Sequence, residues 1–141
     1  MIKIGGAGIA GLSCAANLSK SEEVTVYERA DTVGSRYRQS VLAFRNYGMS
    51  QDYVEELRQV GVTGLKVRKI TRIKKYSPSL KCIEVHSDKP LFYAVFRGRK
   101  SHSIDTSLHN TCVKNGVKFV TRKEVSEKDV DVVATGGSKT N

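Results

Sequence analysis

The chain has 141 residues, 39% of them hydrophobic and 27% charged, enough for one domain with a real core. No apolar run approaches the roughly 20 residues that a membrane-spanning helix needs. The net charge of +10 points to anionic partners, whether nucleic acid, an anionic membrane surface or a phosphorylated ligand.

Ile2-Lys3-Ile4-Gly5 reads as a short buried strand, and Ala10 to about Lys20 as a helix rich in Ala and Leu. Between them lies Gly6-x-Gly8-x-x-Gly11, spanning Gly6, Ala7, Gly8, Ile9, Ala10 and Gly11. Gly6 allows the tight turn from strand to helix. Gly8 lacks a Cβ, so a pyrophosphate can approach the backbone. Gly11 lets the helix pack close to the strand. The free N–H groups and positive dipole end of the helix then face the phosphates. A polar turn at Ser19–Glu23 leads to a second strand, Val24 to Glu28. Glu28 stands about 20 residues after the glycines, where a carboxylate accepts hydrogen bonds from a ribose 2′-OH. This start is a βαβ-type dinucleotide unit.

Residues 29–36 form an irregular loop, in which Arg36, with Arg38 after it, adds positive charge near the expected phosphate site. Residues 51–60 predict a helix with Ser50 as N-cap, Gly61 as stop, and an apolar stripe of Tyr53, Val54, Leu57 and Val60. The period then changes. Residues 65–70 and 72–74 alternate apolar and basic side chains, and 81–86 and 91–96 again favour strand. The expectation is an antiparallel β-meander, about 65–96, inserted into the α/β unit. Helical spacing returns from Ser103 to about Lys114, with Ile104, Leu108 and Cys112 four apart and Asn115-Gly116 as the stop. Strands follow at 117–120 and 129–134, the last running into Thr135-Gly136-Gly137. Pairing rules give the strand order 117–120, 24–28, 2–5, 130–134, with the glycine turn at the carboxyl edge.

The fold class is therefore α/β: one Rossmann-like domain over 1–141 with a mostly parallel sheet. The glycine turn follows Met1 so closely that no signal peptide is expected. Cys14, Cys82 and Cys112 are odd in number and widely spaced, which reads as reduced packing residues of a cytoplasmic protein. His86, His102 and His109 stand apart from any Cys or carboxylate cluster, so no metal site is expected. Asp105 reads as a capping or surface carboxylate, and no serine sits in a nucleophile elbow. No catalytic side chain is assigned. Basic residues cluster at 66–69, 72–75 and 97–100, with few aromatics between them, so nucleic-acid binding is not expected. Peripheral contact with a membrane surface stays open.

The chain resembles the amino-terminal part of FAD-dependent oxidoreductases of the p-hydroxybenzoate hydroxylase type, and within them the geranylgeranyl reductase family. The residues that carry this are Ile4–Gly11, Val26-Tyr27-Glu28-Arg29 with Val33-Gly34, Tyr76-Ser77-Pro78, Ile104-Asp105-x-x-Leu108, Gly116-Val117, and Val132–Gly136. The resemblance implies FAD as cofactor. Gly6, Gly8 and Gly11 would border its pyrophosphate, Glu28 would hold the adenosine ribose, and Arg29 would lie beside the adenine. The Val125 backbone would bond the adenine, and Thr135-Gly136 would return beside the first glycine. An arginine after the insertion, Arg97 or Arg99, would reach toward the cofactor. The sequence stops at Asn141 without the family's later Gly-Asp motif or substrate sheet. The expectation is a cofactor-binding half that needs a partner subunit or self-association. The alternative is a non-catalytic module for FAD, NAD or ADP.

Overall fold

The computed structural model describes residues 1–38 and 40–136; residues 137–141, including the last glycine of the Thr135-Gly136-Gly137 run, lie outside the described residues. Four strands make a parallel sheet: β1 (Ile2–Gly5), β2 (Val24–Tyr27), β8 (Lys118–Val120) and β9 (Val132–Val133). Their order is β8-β2-β1-β9, as the pairing rules predict. Ile2 to Gly5 lie beside Val24 to Tyr27 in register, and Ile4 and Gly5 beside Val132 and Val133. The strands are short and lose side chains from water on both faces, so Ile4 and Val26 are fully buried.

Helices α1 (Ile9–Leu18) and α3 (Ile104–Lys114) pack on this sheet and on each other. Leu12, Ala15 and Ala16 of α1 meet Ile104, Leu108 and Cys112 of α3 in one core, all with no exposed surface. Small alanines bring the axes together, and the Cys112 thiol donates to the Leu12 carbonyl at 3.3 Å. Burial pushes that thiol up to about 12. The packing role read for the cysteines thus fits Cys112, while Cys14 is half-buried and Cys82 is exposed.

Between β2 and α3 lies an antiparallel insertion. The expected class is present, but its strands are nested, not joined one after another. β7 (Phe92–Phe96) sits in the middle of a sheet ordered β3-β7-β4, between β3 (Val41–Arg45) and β4 (Val67–Ile70). β5 (Arg72–Tyr76) and β6 (Cys82–His86) pair only with each other. β3 is absent from the sequence reading. Its burial alternates, with Leu42 and Phe44 inward, yet its outward residues include Val41 and Ala43. The chemical alternation that marks a half-buried strand is therefore erased.

Helix α2 (Tyr53–Gln59) starts two residues later than the composition predicts. Asp52, not Ser50, is the N-cap: its Oδ1 accepts from the N–H groups of Val54 at 3.0 Å and Glu55 at 3.2 Å. Its Oδ2 accepts from Tyr93 Oη at 2.6 Å and Asn46 Nδ2 at 3.3 Å, tying the helix start to the insertion. The last strand is also shorter than 129–134, because Glu127–Asp129 forms a 3-10 turn.

Candidate functional site

The glycine turn sits at the carboxyl ends of β1 and β2, and its three glycines have three different surroundings. Gly6 has φ +103, and a Cβ there would fall 2.5 Å from the Ala134 carbonyl oxygen. A Cβ on Gly11 would overlap the Gly6 carbonyl oxygen. Both are glycines because the chain packs against itself. Gly8 differs. Its φ of −78 suits any residue, and a Cβ there would meet nothing within 4 Å. Nothing in the folded chain requires a glycine at Gly8.

Gly8 is also the N-cap of α1, and no side chain caps that helix; its first turn holds no acidic residue. The amides of the first turn, including Ile9 and Ala10, have no intrahelical acceptor, and the dipole adds partial positive charge there. The result is a shelf open to an anion over a backbone bare of side chains.

Glu28 closes the shelf. Its Oε2 accepts the Ala7 N–H at 2.8 Å and its Oε1 the Ala30 N–H at 2.9 Å. The carboxylate is thus fixed against the glycine turn, and each oxygen retains acceptor capacity for a hydroxyl. The segment after β8 runs alongside: Arg122 N–H donates to Ala30 O at 2.9 Å and Lys123 N–H to Glu28 O at 3.0 Å. Val125 then packs over Gly5, its Cγ2 3.2 Å from where a Cβ would stand. Thr135 comes back against Gly6, its Cα 3.1 Å from the corresponding point. Gly136 follows in open space with φ +80. Arg29 is exposed beside Glu28.

The structure brings Gly6–Gly11, Glu28, Val125 and Thr135 together, but it leaves Arg36 and Arg97 around a different centre. Arg36 is exposed and lies 6.0 Å from the Tyr37 ring. Arg97 stacks on that ring at 3.9 Å and donates from Nε and Nη2 to Asp105 at 2.9 and 3.0 Å. Asp105 also accepts the Gly98 N–H at 2.8 Å. It is 1% exposed, so the surface reading of this carboxylate is corrected. A charge buried this deeply needs a partner, and Arg97 supplies it. Arg97 therefore braces the loop at Tyr37 against the start of α3, with its Nε and Nη2 committed to Asp105. Tyr37, Ala30 and Ala134 are the site neighbours that sequence reasoning misses. They act through a ring face or a backbone group, which residue type does not reveal.

Among the described residues no group of three or more His, Cys, Asp or Glu converges as a metal site, and no helix is long and apolar enough to cross a membrane. His109 packs on Phe119, His102 on Phe96, and His86 is exposed. A hollow of about 330 Å³ lies elsewhere, between α2 and the segment before β4, lined by Val54, Leu57, Val62 and Leu65 among others. The glycine shelf is open, as a ligand lying along a sheet edge requires.

Residues 4–54 match the NAD(P)-binding Rossmann-like domain family. No curated protein matches the sequence. Among solved structures, the chain is similar to 2-methyl-3-hydroxypyridine-5-carboxylic acid oxygenase, with 16% identity, a TM-score of 0.64, and coverage of 86% of this chain and 31% of that one. It is similar to a geranylgeranyl bacteriochlorophyll reductase-like protein from Thermoplasma acidophilum, with 16% identity, a TM-score of 0.60, and coverage of 85% and 29%. It is also similar to CtdE, solved in complex with FAD and a substrate, with 15% identity, a TM-score of 0.55, and coverage of 90% and 31%. These likenesses establish the α/β, Rossmann-like fold. The chain spans under a third of the length of each of these three structures.

Proposed function

We propose that this chain binds FAD by its adenosine and pyrophosphate, as the cofactor-binding part of a flavin-dependent oxidoreductase. The observation that carries this reading is Gly8. Gly6 and Gly11 are explained by contacts within the chain, whereas Gly8 faces open space at an uncapped helix start. A ligand pressed to the backbone supplies the missing reason. Glu28, held by Ala7 and Ala30, is set to accept the ribose hydroxyls, and its charge disfavours a 2′-phosphate. Val125 would offer its backbone to the adenine. Arg29 stands free beside it. Arg97 acts from a distance by fixing the Tyr37 loop, and Arg36 is left as an exposed cation of that loop.

The bound flavin would supply the hydride chemistry, and the protein its placement. A reductase acting on a prenyl substrate is the specific activity we favour, supported by the residues shared with the geranylgeranyl reductase family and by the similarity to the Thermoplasma protein. Enclosing the flavin ring would fall to protein outside these 141 residues, a partner subunit or a further part, because the similar chains are some three times as long. Three free cysteines support a reducing, cytoplasmic setting. A non-catalytic module that binds FAD, NAD or ADP is the second reading, favoured by the same short span.

Calorimetric titration tests the proposal. FAD, NAD and ADP should bind, and NADP should bind more weakly. Gly8→Val should abolish binding with an unchanged circular dichroism spectrum, since the new side chain meets only the ligand's space. Unchanged affinity in a folded Gly8→Val protein would place the pyrophosphate elsewhere and overturn the reading.

A further inference from the structure

The β5–β6 hairpin is the least covered pair of strands among the described residues. Every residue of β6 is exposed, as are four of the five in β5. A lone two-stranded hairpin is marginal in water unless something covers one face. Cross-strand partners share a face. Ile73 lies opposite Val85 and Lys75 opposite Ile83, so one face carries three β-branched apolar residues and a lysine stem. Ile83 is 66% exposed and Val85 39%.

The tip adds a second, independent observation. The turn is well closed: Ser77 N–H donates to Lys81 O at 2.9 Å, and Leu80 N–H to Ser77 O at 2.9 Å. At its end stands Leu80, 80% exposed and at φ +61. A bulky apolar residue is disfavoured in that left-handed conformation, where Gly or Asn is usual, and it gains nothing by burial there. Tyr76, beside it, is 61% exposed. Two local choices thus work against folding and leave an apolar point projecting into solvent.

Charge says what the point meets. Residues 73–83 hold Lys74, Lys75 and Lys81 and no acidic residue. Glu84, the nearest carboxylate, is already shared between Arg72 at 3.2 Å and Lys74 at 3.6 Å. Such a tip repels a second copy of itself. A nucleic-acid backbone would satisfy the lysines but offer nothing to Leu80 and Ile83. An anionic bilayer satisfies both, taking apolar side chains below the headgroups while lysines reach the phosphates. We propose that the β5–β6 hairpin docks this protein on an anionic lipid surface, with Leu80, Tyr76 and Ile83 inserted and Lys74, Lys75 and Lys81 around them. The hairpin shares no residue with the glycine turn, so this inference stands apart from the nucleotide reading.

The test is vesicle co-flotation of the full chain with pure phosphatidylcholine and with phosphatidylcholine mixed with phosphatidylglycerol. Binding should occur only to the anionic vesicles and fall about fivefold for each of Lys75→Gln and Lys81→Gln. Leu80→Asn, which suits the left-handed backbone and so keeps the fold, should also weaken it. The chain has no Trp, so Leu80→Trp is a sole reporter: its emission should shift to the blue on anionic vesicles and not on neutral ones. Absence of binding, or binding untouched by Leu80→Asn, overturns the proposal. So does a Leu80→Trp spectrum that stays that of exposed indole. If sedimentation instead shows a dimer that Leu80→Asn dissociates, the face joins two copies, and if polyuridylate binds and competes the protein off vesicles without regard to Leu80, it is a polyanion site; either result overturns the lipid reading.

Discussion

Gly8 and Gly11 carry the same side chain for opposite reasons, and substitution separates them. At Gly11 even a methyl group would collide with the Gly6 carbonyl oxygen, a backbone atom that cannot swing aside. Gly11→Ala should therefore lower stability by about 1–3 kcal/mol through overpacking of α1 against the turn. A thermal melt checks this without any ligand. Gly8→Val should leave the same melt nearly unmoved. Glu28 is a further position where two roles can be parted. Replacing it by Ala would orphan the Ala7 and Ala30 amides, so the turn itself would suffer. Glu28→Gln removes the charge and keeps one acceptor oxygen, so it disturbs the turn less than Ala, holding one of the Ala7 and Ala30 amides and leaving the other facing its NH2 group. In that variant the preference for NAD over NADP should shrink severalfold, read by parallel titrations. A preference that persists would mean the carboxylate does not face the 2′ position.

At the scale of elements, Asp52 joins α2 to the insertion. Burial works to raise its pKa, but hydrogen bonds from Tyr93, from the Glu55 and Val54 amides and from Asn46 outweigh it and hold the carboxyl below its ordinary 3.8. The other end of the contact moves the opposite way. Burial, then the bond to Asp52, pushes the Tyr93 hydroxyl up to about 12, so it stays a donor at any physiological pH. The sign for stability follows from the carboxyl: the folded state binds its proton less readily than the unfolded state. The contribution is fully present above pH 3.8 and is lost as pH falls through the lower folded value. Asp52→Ala should cost about 1 kcal/mol at neutral pH, as loss of an N-cap does. The gap between wild type and variant should close in acid, measured by urea unfolding across that range. A gap that stays constant down to the acid limit would show that the carboxylate charge is not what holds the cap.

For the whole molecule, the proposed division of labour can be measured. The shelf proposed for adenosine and pyrophosphate is built from β1, α1, β2 and the returning Thr135. A flavin ring beyond the pyrophosphate would need further protein to exclude water and orient a substrate. The purified chain with FAD and a reductant should bind the cofactor but give no turnover of a prenyl substrate. Activity should appear when the completing protein is supplied. Robust turnover by the isolated chain would refute the division, while leaving cofactor binding intact.

The sequence by itself determined the parallel sheet, its order and the position of the glycine turn. Those features are written in short-range signals: apolar runs of strand length at β1 and β2, the Gly6–Gly8–Gly11 spacing, and the Ile104, Leu108, Cys112 stripe with its Gly116 stop. The place of Glu28 beside the glycine turn was legible for the same reason, since its distance along the chain puts it at the end of β2. Tertiary structure alone decided which glycine has no partner within the chain, because Gly6, Gly8 and Gly11 differ only in what Ala134 and the turn bring near them. It alone chose Asp52 over Ser50 as the cap, through Tyr93 41 residues away in sequence. It alone centred one sheet on β7, set β5–β6 apart as a pair of their own, and turned Asp105 inward to meet Arg97. Period and propensity are properties of neighbours along the chain. Burial, ion pairing and strand partnership depend on which distant segment arrives, and no local pattern in 41–45 or 97–105 encodes that.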